Sequence, residues 1–108
     1  MKREYNKLVR DRIPEIIQAA GQECAIETMT EEEFHQALRA KLVEEAQEAS
    51  AAVSTELVAE LADLCEVMDT LMAVYGIDRE AVLAEQNRRQ VERGGFSRRI
   101  RLLWSRAD

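Results

Sequence analysis

The sequence predicts an all-α protein in which an antiparallel helical hairpin core assembles into a four-helix-bundle-like homo-oligomer. Two observations point to this fold class. With 4 Gly and 1 Pro in 108 residues, the chain has few residues for the tight turns of a β-sandwich or β-barrel. Its middle part repeats apolar residues at spacings of three and four, the period of one helix face. The length predicts one domain, residues 1–108.

The first helix is predicted to be short. Asp11 is in position to cap it, Pro14 falls in its opening turn, and Gly21 closes it. Residues 22–29 are too few for more than a loop or a small extended piece.

The second helix has the clearest start signal. Thr30 and Glu33 have the spacing of a capping box, in which each side chain binds the backbone N–H of the other residue. This pattern predicts a long helix from about Glu31 to Ala52.

The last two helices are bounded by small polar residues and glycines. Ser54 or Thr55 is expected to cap a third helix, which runs to Tyr75. Asp78 is expected to cap a fourth helix, which ends at Gly94 and Gly95. The tail that follows is basic and amphipathic.

The two long helices each carry an apolar stripe. The stripe of the third helix is formed by Leu57, Leu61, Leu64, Met68, Leu71 and Tyr75. That of the second is formed by Phe34, Leu38, Leu42, Ala46, Ala49 and Val53. Two such helices with a short joint form an αα-hairpin, and one hairpin of this size cannot cover both stripes. We therefore expect a homodimer or homotetramer.

Acids and bases are segregated along the chain. Residues 27–63 contain 10 acids and two bases, whereas residues 88–106 contain 7 arginines and one acid. Two interpretations stay open. The charges are ordinary solvated helix faces, or they form one site that holds a metal with the acids and an anion with the arginines.

The remaining composition limits location and partners. A net charge of −6 argues against a nucleic-acid partner, and no apolar run is long enough to span a membrane. The charged N-terminus does not resemble a signal peptide, so we expect a cytoplasmic protein without a membrane partner. Cys24 and Cys65 are then expected to be reduced and buried.

Five acids on the two long helices form the candidate catalytic constellation: Glu44, Glu45 and Glu48 on the second, Glu60 and Asp63 on the third. Residues three apart lie one turn apart on a similar face, so each pair can share one cation. Glu45 is the most informative acid, because helical geometry places it close to the centre of its apolar stripe. A carboxylate there is costly unless it is paired or bound to metal.

Carboxylates on adjacent rigid helices are the ligands that hard divalent cations prefer, which indicates Mg²⁺, with Mn²⁺ as a substitute. A di-iron bundle requires Glu-x-x-His motifs from two helices. The chain has a single histidine, His35, and we interpret it as a surface or packing residue. The pattern therefore favours magnesium over iron.

The hairpin resembles the catalytic core of the all-α NTP pyrophosphohydrolase superfamily, which includes MazG, dimeric dUTPases and phosphoribosyl-ATP pyrophosphohydrolase. The shared pattern is Glu-Glu-x-x-Glu, a loop, and Glu-x-x-Asp, here residues 44–48 and 60–63. The opening Lys-Leu-Val-Arg-Asp-Arg-Ile-Pro of residues 7–14 and the Arg-Gly-Gly-Phe of residues 93–96 resemble a small MazG-like, phosphoribosyl-ATP pyrophosphohydrolase-like branch.

The resemblance implies roles for these acids. Glu45, Glu48, Glu60 and Asp63 would be Mg²⁺ ligands, and Glu44 a further ligand or the group that orients the attacking water. The catalytic residues would be Glu44, Glu45 and Glu48. Asn87 and Arg88 resemble the stretch that binds phosphate or base in MazG proteins.

Basic residues near both ends are further candidates for substrate binding. Lys7, Arg10 and Arg12 are placed to contact a triphosphate or to lie in a solvated N-terminus. The same alternatives hold for Arg93, Arg98 and Arg99, since arginine suits phosphate and ordinary ion pairs alike.

The expected activity is Mg²⁺-dependent hydrolysis of a nucleoside triphosphate at the α–β phosphoanhydride, which gives a monophosphate and pyrophosphate and serves in house-cleaning of nucleotide pools. Two alternatives stay open. One is phosphoribosyl-ATP hydrolysis in histidine biosynthesis, and the other is a non-catalytic helical dimerisation module.

Overall fold

A computed structural model of the chain describes residues 1–107. Its helices are α1 (Ile13–Ala19), α2 (Glu31–Ala51), α3 (Leu57–Val74) and α4 (Arg79–Arg93). No residue of this described stretch lies in a β-strand, so the all-α prediction is confirmed. Contacts divide the chain into two compact units, residues 1–76 and a second unit that begins at Ile77.

Helix α1 begins at Ile13, one residue later than it would if Asp11 were its N-cap. Arg12 occupies the N-cap position and no side chain caps the helix, so the prediction for Asp11 is wrong. Pro14 stands in the first turn of the helix as predicted, where its missing N–H loses no hydrogen bond and its fixed φ suits a helix. Gly21 follows the helix with a φ of +79°, the left-handed turn expected there.

The start of α2 is confirmed in atomic detail. The Thr30 N–H donates to Glu33 Oε1 at 2.9 Å, and the Glu33 N–H donates to Thr30 Oγ1 at 3.2 Å. This reciprocal capping box fixes the first residue of α2.

The start of α3 differs from the prediction. Ser54–Glu56 form a 3-10 turn, and α3 begins at Leu57 without a side-chain cap. The Glu56 N–H donates to the carbonyl of Val53 at 2.9 Å. Because this backbone turn leads directly into α3, neither Ser54 nor Thr55 is its cap.

Helix α2 packs against α3, which confirms the helical hairpin. Within residues 1–107, the buried apolar residues are Leu38 and Val67, with exposures of 2% and 8%. The stripe of α3 is only partly covered within one chain, because Leu61 and Met68 stay 46% and 40% exposed. The most buried residue of α3 is Val67, which lies beside the predicted stripe and not in it.

The second unit contains α4 and the tail. The Asp78 side chain accepts a hydrogen bond from the Glu80 N–H at 3.1 Å, and Gly94 follows the helix with a φ of +85°, so both predicted ends are confirmed. Residues 96–107 form no helix or strand, and Phe96 and Trp104 are exposed. Among residues 1–107, no helix has the length and apolar character needed to cross a membrane.

Candidate metal centre

Three carboxylates meet between α2 and α3. One oxygen each of Glu45, Glu60 and Asp63 lies within 4.8 Å of the others. Glu45 lies in the middle of α2, and the other two lie three residues apart in the first half of α3. Because two packed helices carry them, their positions are set by the backbone of the hairpin.

Glu45 is buried, as its place on the helix predicts. Its exposure is 7%, and its Oε2 accepts no hydrogen bond. The pKa of Glu45 is raised, chiefly by desolvation and also by the charges of Glu48 and Asp63, while Lys41 opposes the shift. Oε2 of Glu60 is a second buried acceptor without a partner. Metal-free Glu45 is therefore held in an unfavourable environment.

These residues fit a hard divalent cation. Such ions take carboxylate oxygens as ligands, and three carboxylates converge here with two buried oxygens unused. A cation bound between Glu45, Glu60 and Asp63 would supply the positive charge that the buried oxygens lack. Glu48 is exposed and lies outside this close group, so its predicted role as a ligand stays a prediction.

Glu44 lies on the neighbouring face of α2 and binds two lysines. Lys7 Nζ donates to Glu44 Oε1 at 2.9 Å, and Lys41 Nζ lies 3.5 Å from Glu44 Oε2. The hydrogen bond from Lys7 is the main cause of the lowered pKa of Glu44, and it raises the pKa of Lys7 in return. Unlike Glu45, Glu44 is thus stabilised as a carboxylate.

The N-terminal segment of residues 7–10 reaches both acidic helices. Lys7 contacts α2 through Glu44, and Arg10 contacts α3, with its Nη2 2.7 Å from Asp63 Oδ1 and its Nη1 3.8 Å from Glu66 Oε1. The structure therefore brings two of the predicted substrate-binding residues to the carboxylates. Arg12 instead pairs with Glu15 at 3.2 Å.

A small pocket of about 140 Å³ lies next to Glu44. The N-terminal segment contributes Asn6, Lys7 and Leu8 to its wall. The loop before α2 contributes Met29, and α2 contributes Lys41 and two alanines.

Lys41 is the residue that the sequence analysis missed. Its ammonium lies 3.5 Å from Glu45 Oε1 as well as from Glu44, and its side chain is only 18% exposed. The available signal was its spacing, because a lysine three and four residues before two glutamates on a helix faces both of them.

The predicted substrate-binding residues Asn87, Arg88 and Arg93 lie on α4, in the second unit. Arg88 Nε donates to Glu85 at 3.0 Å and its Nη1 donates to Glu92 at 2.6 Å. Arg88 is thus held by acids of its own helix, and its predicted contact with substrate stays a prediction.

The single histidine is a packing residue, as interpreted. The rings of His35 and Tyr75 lie 4.7 Å apart, and Arg39 donates to the Tyr75 hydroxyl at 3.2 Å. Cys24 and Cys65 are free, as expected, but both are exposed, so the prediction that they are buried is wrong.

Comparison with known proteins identifies the family to which this chain belongs. The sequence profile described as phosphoribosyl-ATP pyrophosphohydrolase matches residues 3–90, which include the N-terminal segment, the metal centre and most of α4. An uncharacterized protein of Mycolicibacterium smegmatis is 52% identical over 46 residues, which cover 43% of this chain and 47% of that protein. The aligned region thus spans about half of that curated relative. No solved structure matches the chain.

Proposed function

Because the chain belongs to the phosphoribosyl-ATP pyrophosphohydrolase family, within the MazG-like all-α NTP pyrophosphohydrolase superfamily, we propose that it is a Mg²⁺-dependent nucleoside triphosphate pyrophosphohydrolase. Water would attack phosphorus, the α–β phosphoanhydride would break, and a nucleoside monophosphate and pyrophosphate would leave. Mn²⁺ is the expected substitute for Mg²⁺. The proposed role is the removal of unwanted nucleotides from the nucleotide pool.

The observation that carries this proposal is the state of Glu45. A buried carboxylate with an unpaired oxygen beside two further carboxylates is unfavourable in a protein whose helices serve only for packing. In a metal-dependent enzyme the same arrangement is required before the ion binds. This contrast supports the enzyme over a non-catalytic dimerisation module.

The residues of the metal centre would have different roles in the reaction. Glu45, Glu60 and Asp63, together with Glu48, would hold divalent cations, which bind phosphate oxygens and lower the pKa of a bound water when present. Glu44 would orient the attacking water through a carboxylate oxygen. Lys7 and Arg10 now pair with Glu44 and Asp63, and would bind phosphate oxygens in the substrate complex.

Self-association is part of the proposal. The half-exposed stripe of α3 is the surface that a second copy would cover, in a homodimer or homotetramer. The alternative substrate is phosphoribosyl-ATP, which is compatible with the description of the matching family. It needs the same metal centre and the same bond cleavage, so only the substrate distinguishes the two.

A substrate panel tests the proposal. Nucleoside triphosphates and phosphoribosyl-ATP would be incubated with the full chain and Mg²⁺, and both orthophosphate and pyrophosphate would be measured. We expect pyrophosphate release that stops in excess EDTA. Release of orthophosphate alone, or full activity in EDTA, would refute the mechanism, and the preferred member of the panel would decide between the two substrates.

A further inference from the structure

Lys41 is a mostly buried cation that depends on a carboxylate of the metal centre. Its Nζ lies 3.5 Å from Glu45 Oε1 and 3.5 Å from Glu44 Oε2, and its side chain is 18% exposed. An ammonium group with so little access to water needs nearby anions to replace the hydration that burial removes. Glu44 meets part of that need, but Lys7 already binds the same carboxylate at 2.9 Å.

Glu45 cannot serve Lys41 and a divalent cation equally well. Its carboxylate is the buried member of the group with Glu60 and Asp63. When Glu45 coordinates a cation, its negative charge is shared with that ion, and Lys41 then faces positive charge at close range. The repulsion is stronger than at an exposed site because the side chains of Lys41 and Glu45 are only 18% and 9% exposed to water. Lys41 then requires a new anion.

The pocket of about 140 Å³ is where such an anion would enter. It is lined by both Lys41 and Lys7, and it reaches Glu44, the carboxylate they share. Asn6 has a φ of +45°, so the chain turns through the left-handed region directly before Lys7. This backbone conformation sets the N-terminal wall of the pocket and the starting point of the Lys7 side chain.

We propose that this pocket is an anion subsite for the polyphosphate of the substrate, in which Lys41 exchanges Glu45 for a phosphate oxygen when the carboxylates bind metal. Lys7 makes the matching exchange from Glu44. The inference rests on the proposed function, since it takes the substrate to be a polyphosphate. Metal and anion should therefore bind cooperatively. The metal takes Glu45 away from Lys41, and the anion gives Lys41 a new partner and shields it from the metal.

The sign of this coupling gives a test that a purely structural lysine would fail. Lys41→Met keeps the side-chain stem and removes the charge. Binding of Mn²⁺ alone, measured from the free-ion electron paramagnetic resonance signal, should become severalfold tighter, because Glu45 no longer has a competing cation. Binding of inorganic pyrophosphate at saturating Mg²⁺, measured by calorimetry, should become about tenfold weaker, because a charge-assisted hydrogen bond is lost.

Two controls accompany this variant. Lys2→Met removes the same charge from an exposed lysine that pairs with Glu4 at 3.5 Å, and should change neither binding constant. Lys41→Arg keeps the charge and should retain most of the pyrophosphate affinity, so it also answers the case in which Lys41→Met fails to fold. Orthophosphate, tested beside pyrophosphate, separates a site for a polyphosphate from one for any phosphate group.

Each outcome decides the inference. Opposite shifts for Mn²⁺ and pyrophosphate in Lys41→Met, absent in Lys2→Met, support it. Weaker binding of both Mn²⁺ and pyrophosphate in Lys41→Met, or no change in its pyrophosphate affinity, overturns the inference. So does a Lys41→Arg protein whose pyrophosphate affinity also falls about tenfold below that of the wild type. Failure of the proposed function would look different: the wild-type protein would release no pyrophosphate from any substrate in the panel.

Discussion

Two regions of the molecule are rich in charge and use it in opposite ways. On α4, Arg88 lies between Glu85 and Glu92, three and four residues away, so acids and bases of one helix neutralise each other in water. Between α2 and α3, three acids converge, one of them is buried, and two oxygens have no hydrogen-bond partner. The cations near this group come from the N-terminal segment and from Lys41.

The comparison shows that charge density alone does not mark a functional site. Glu85 has a lowered pKa because Arg88 and Arg89 donate hydrogen bonds to it, whereas Glu45 has a raised pKa because it is desolvated among like charges. The charges of α4 are paired with each other and need no ligand to be stable. The charge of Glu45 is relieved only by a proton or a cation, which is why its position on the apolar face of α2 is the informative feature.

The largest expected effect is that of Glu45→Gln. Turnover should fall at least about 100-fold, because loss of a metal ligand costs at least as much as loss of a residue that supports one. The metal-free protein should melt at the same or a higher temperature, because one buried like charge is removed while an oxygen acceptor for Lys41 remains. Mg²⁺ should raise the melting temperature of the wild type and much less that of the variant.

Glu32→Gln is the matched control, an exposed glutamate in the first turn of the same helix. It should keep the turnover and the Mg²⁺ shift of the wild type. If Mg²⁺ raised the melting temperature of wild type and Glu45→Gln equally, Glu45 would not be a metal ligand. The acids of α2 and α3 would then, like those of α4, be ordinary charged residues of a helix.

The second prediction concerns apolar surface, in which the two regions also differ. Met68 lies on the stripe of α3 that we propose to be covered by a second copy, and Val91 is an exposed valine of α4. Met68→Asp should shift sedimentation of the purified protein towards the 12.3 kDa monomer, whereas Val91→Asp should leave it unchanged. A wild type that sediments as that monomer at every concentration would refute self-association.

The sequence predicts the helices well where local chemistry decides them. The capping box of Thr30 and Glu33 and the cap at Asp78 depend on neighbouring residues alone, and the structure confirms them. The starts of α1 and α3 could not be predicted, because at Arg12 and Glu56 backbone turns lead into the helix and no side chain caps it. Several start positions satisfy the pattern of the sequence in such cases.

The candidate site divides in the same way. The burial of Glu45 follows from helical periodicity, and the structure confirms it. The contacts of Lys7 with Glu44 and of Arg10 with Asp63 join residues that are 37 and 53 positions apart, so no local rule yields them. Asp63 and Glu45 come together because α2 packs on α3, and that packing joins residues that are far apart in the sequence.

The third prediction uses pH to separate the two regions. Because the pKa of Glu45 is raised above its ordinary value of 4.5, the folded protein binds more protons than the unfolded chain between 4.5 and the raised value. Stability contributed by this group is therefore lost as pH rises through that window. The stability gain of metal-free Glu45→Gln over wild type, measured by chemical denaturation, should be smallest below pH 4.5 and largest at neutral pH. A gain that is independent of pH would mean that the charge of Glu45 is not its cause.

The smallest effect is expected on α4, with Glu85→Gln. Removal of this charge leaves Arg88 paired with Glu92 alone, so melting temperature should fall slightly at neutral pH and low salt. The difference should shrink in 1 M salt, where charges on an exposed helix are screened within about 3 Å.

The pH dependence of the Glu85 contribution to stability runs opposite to that of Glu45. The pKa of Glu85 is lowered, so its stabilisation is present above the ordinary carboxyl value and is lost as pH falls through the lowered one. Melting curves of both variants across pH, with and without Mg²⁺, should therefore show opposite slopes, with a metal response altered only in Glu45→Gln. If Glu85→Gln altered the Mg²⁺ response as strongly, the acids of α4 would belong to the metal centre and the distinction between the two regions would be wrong.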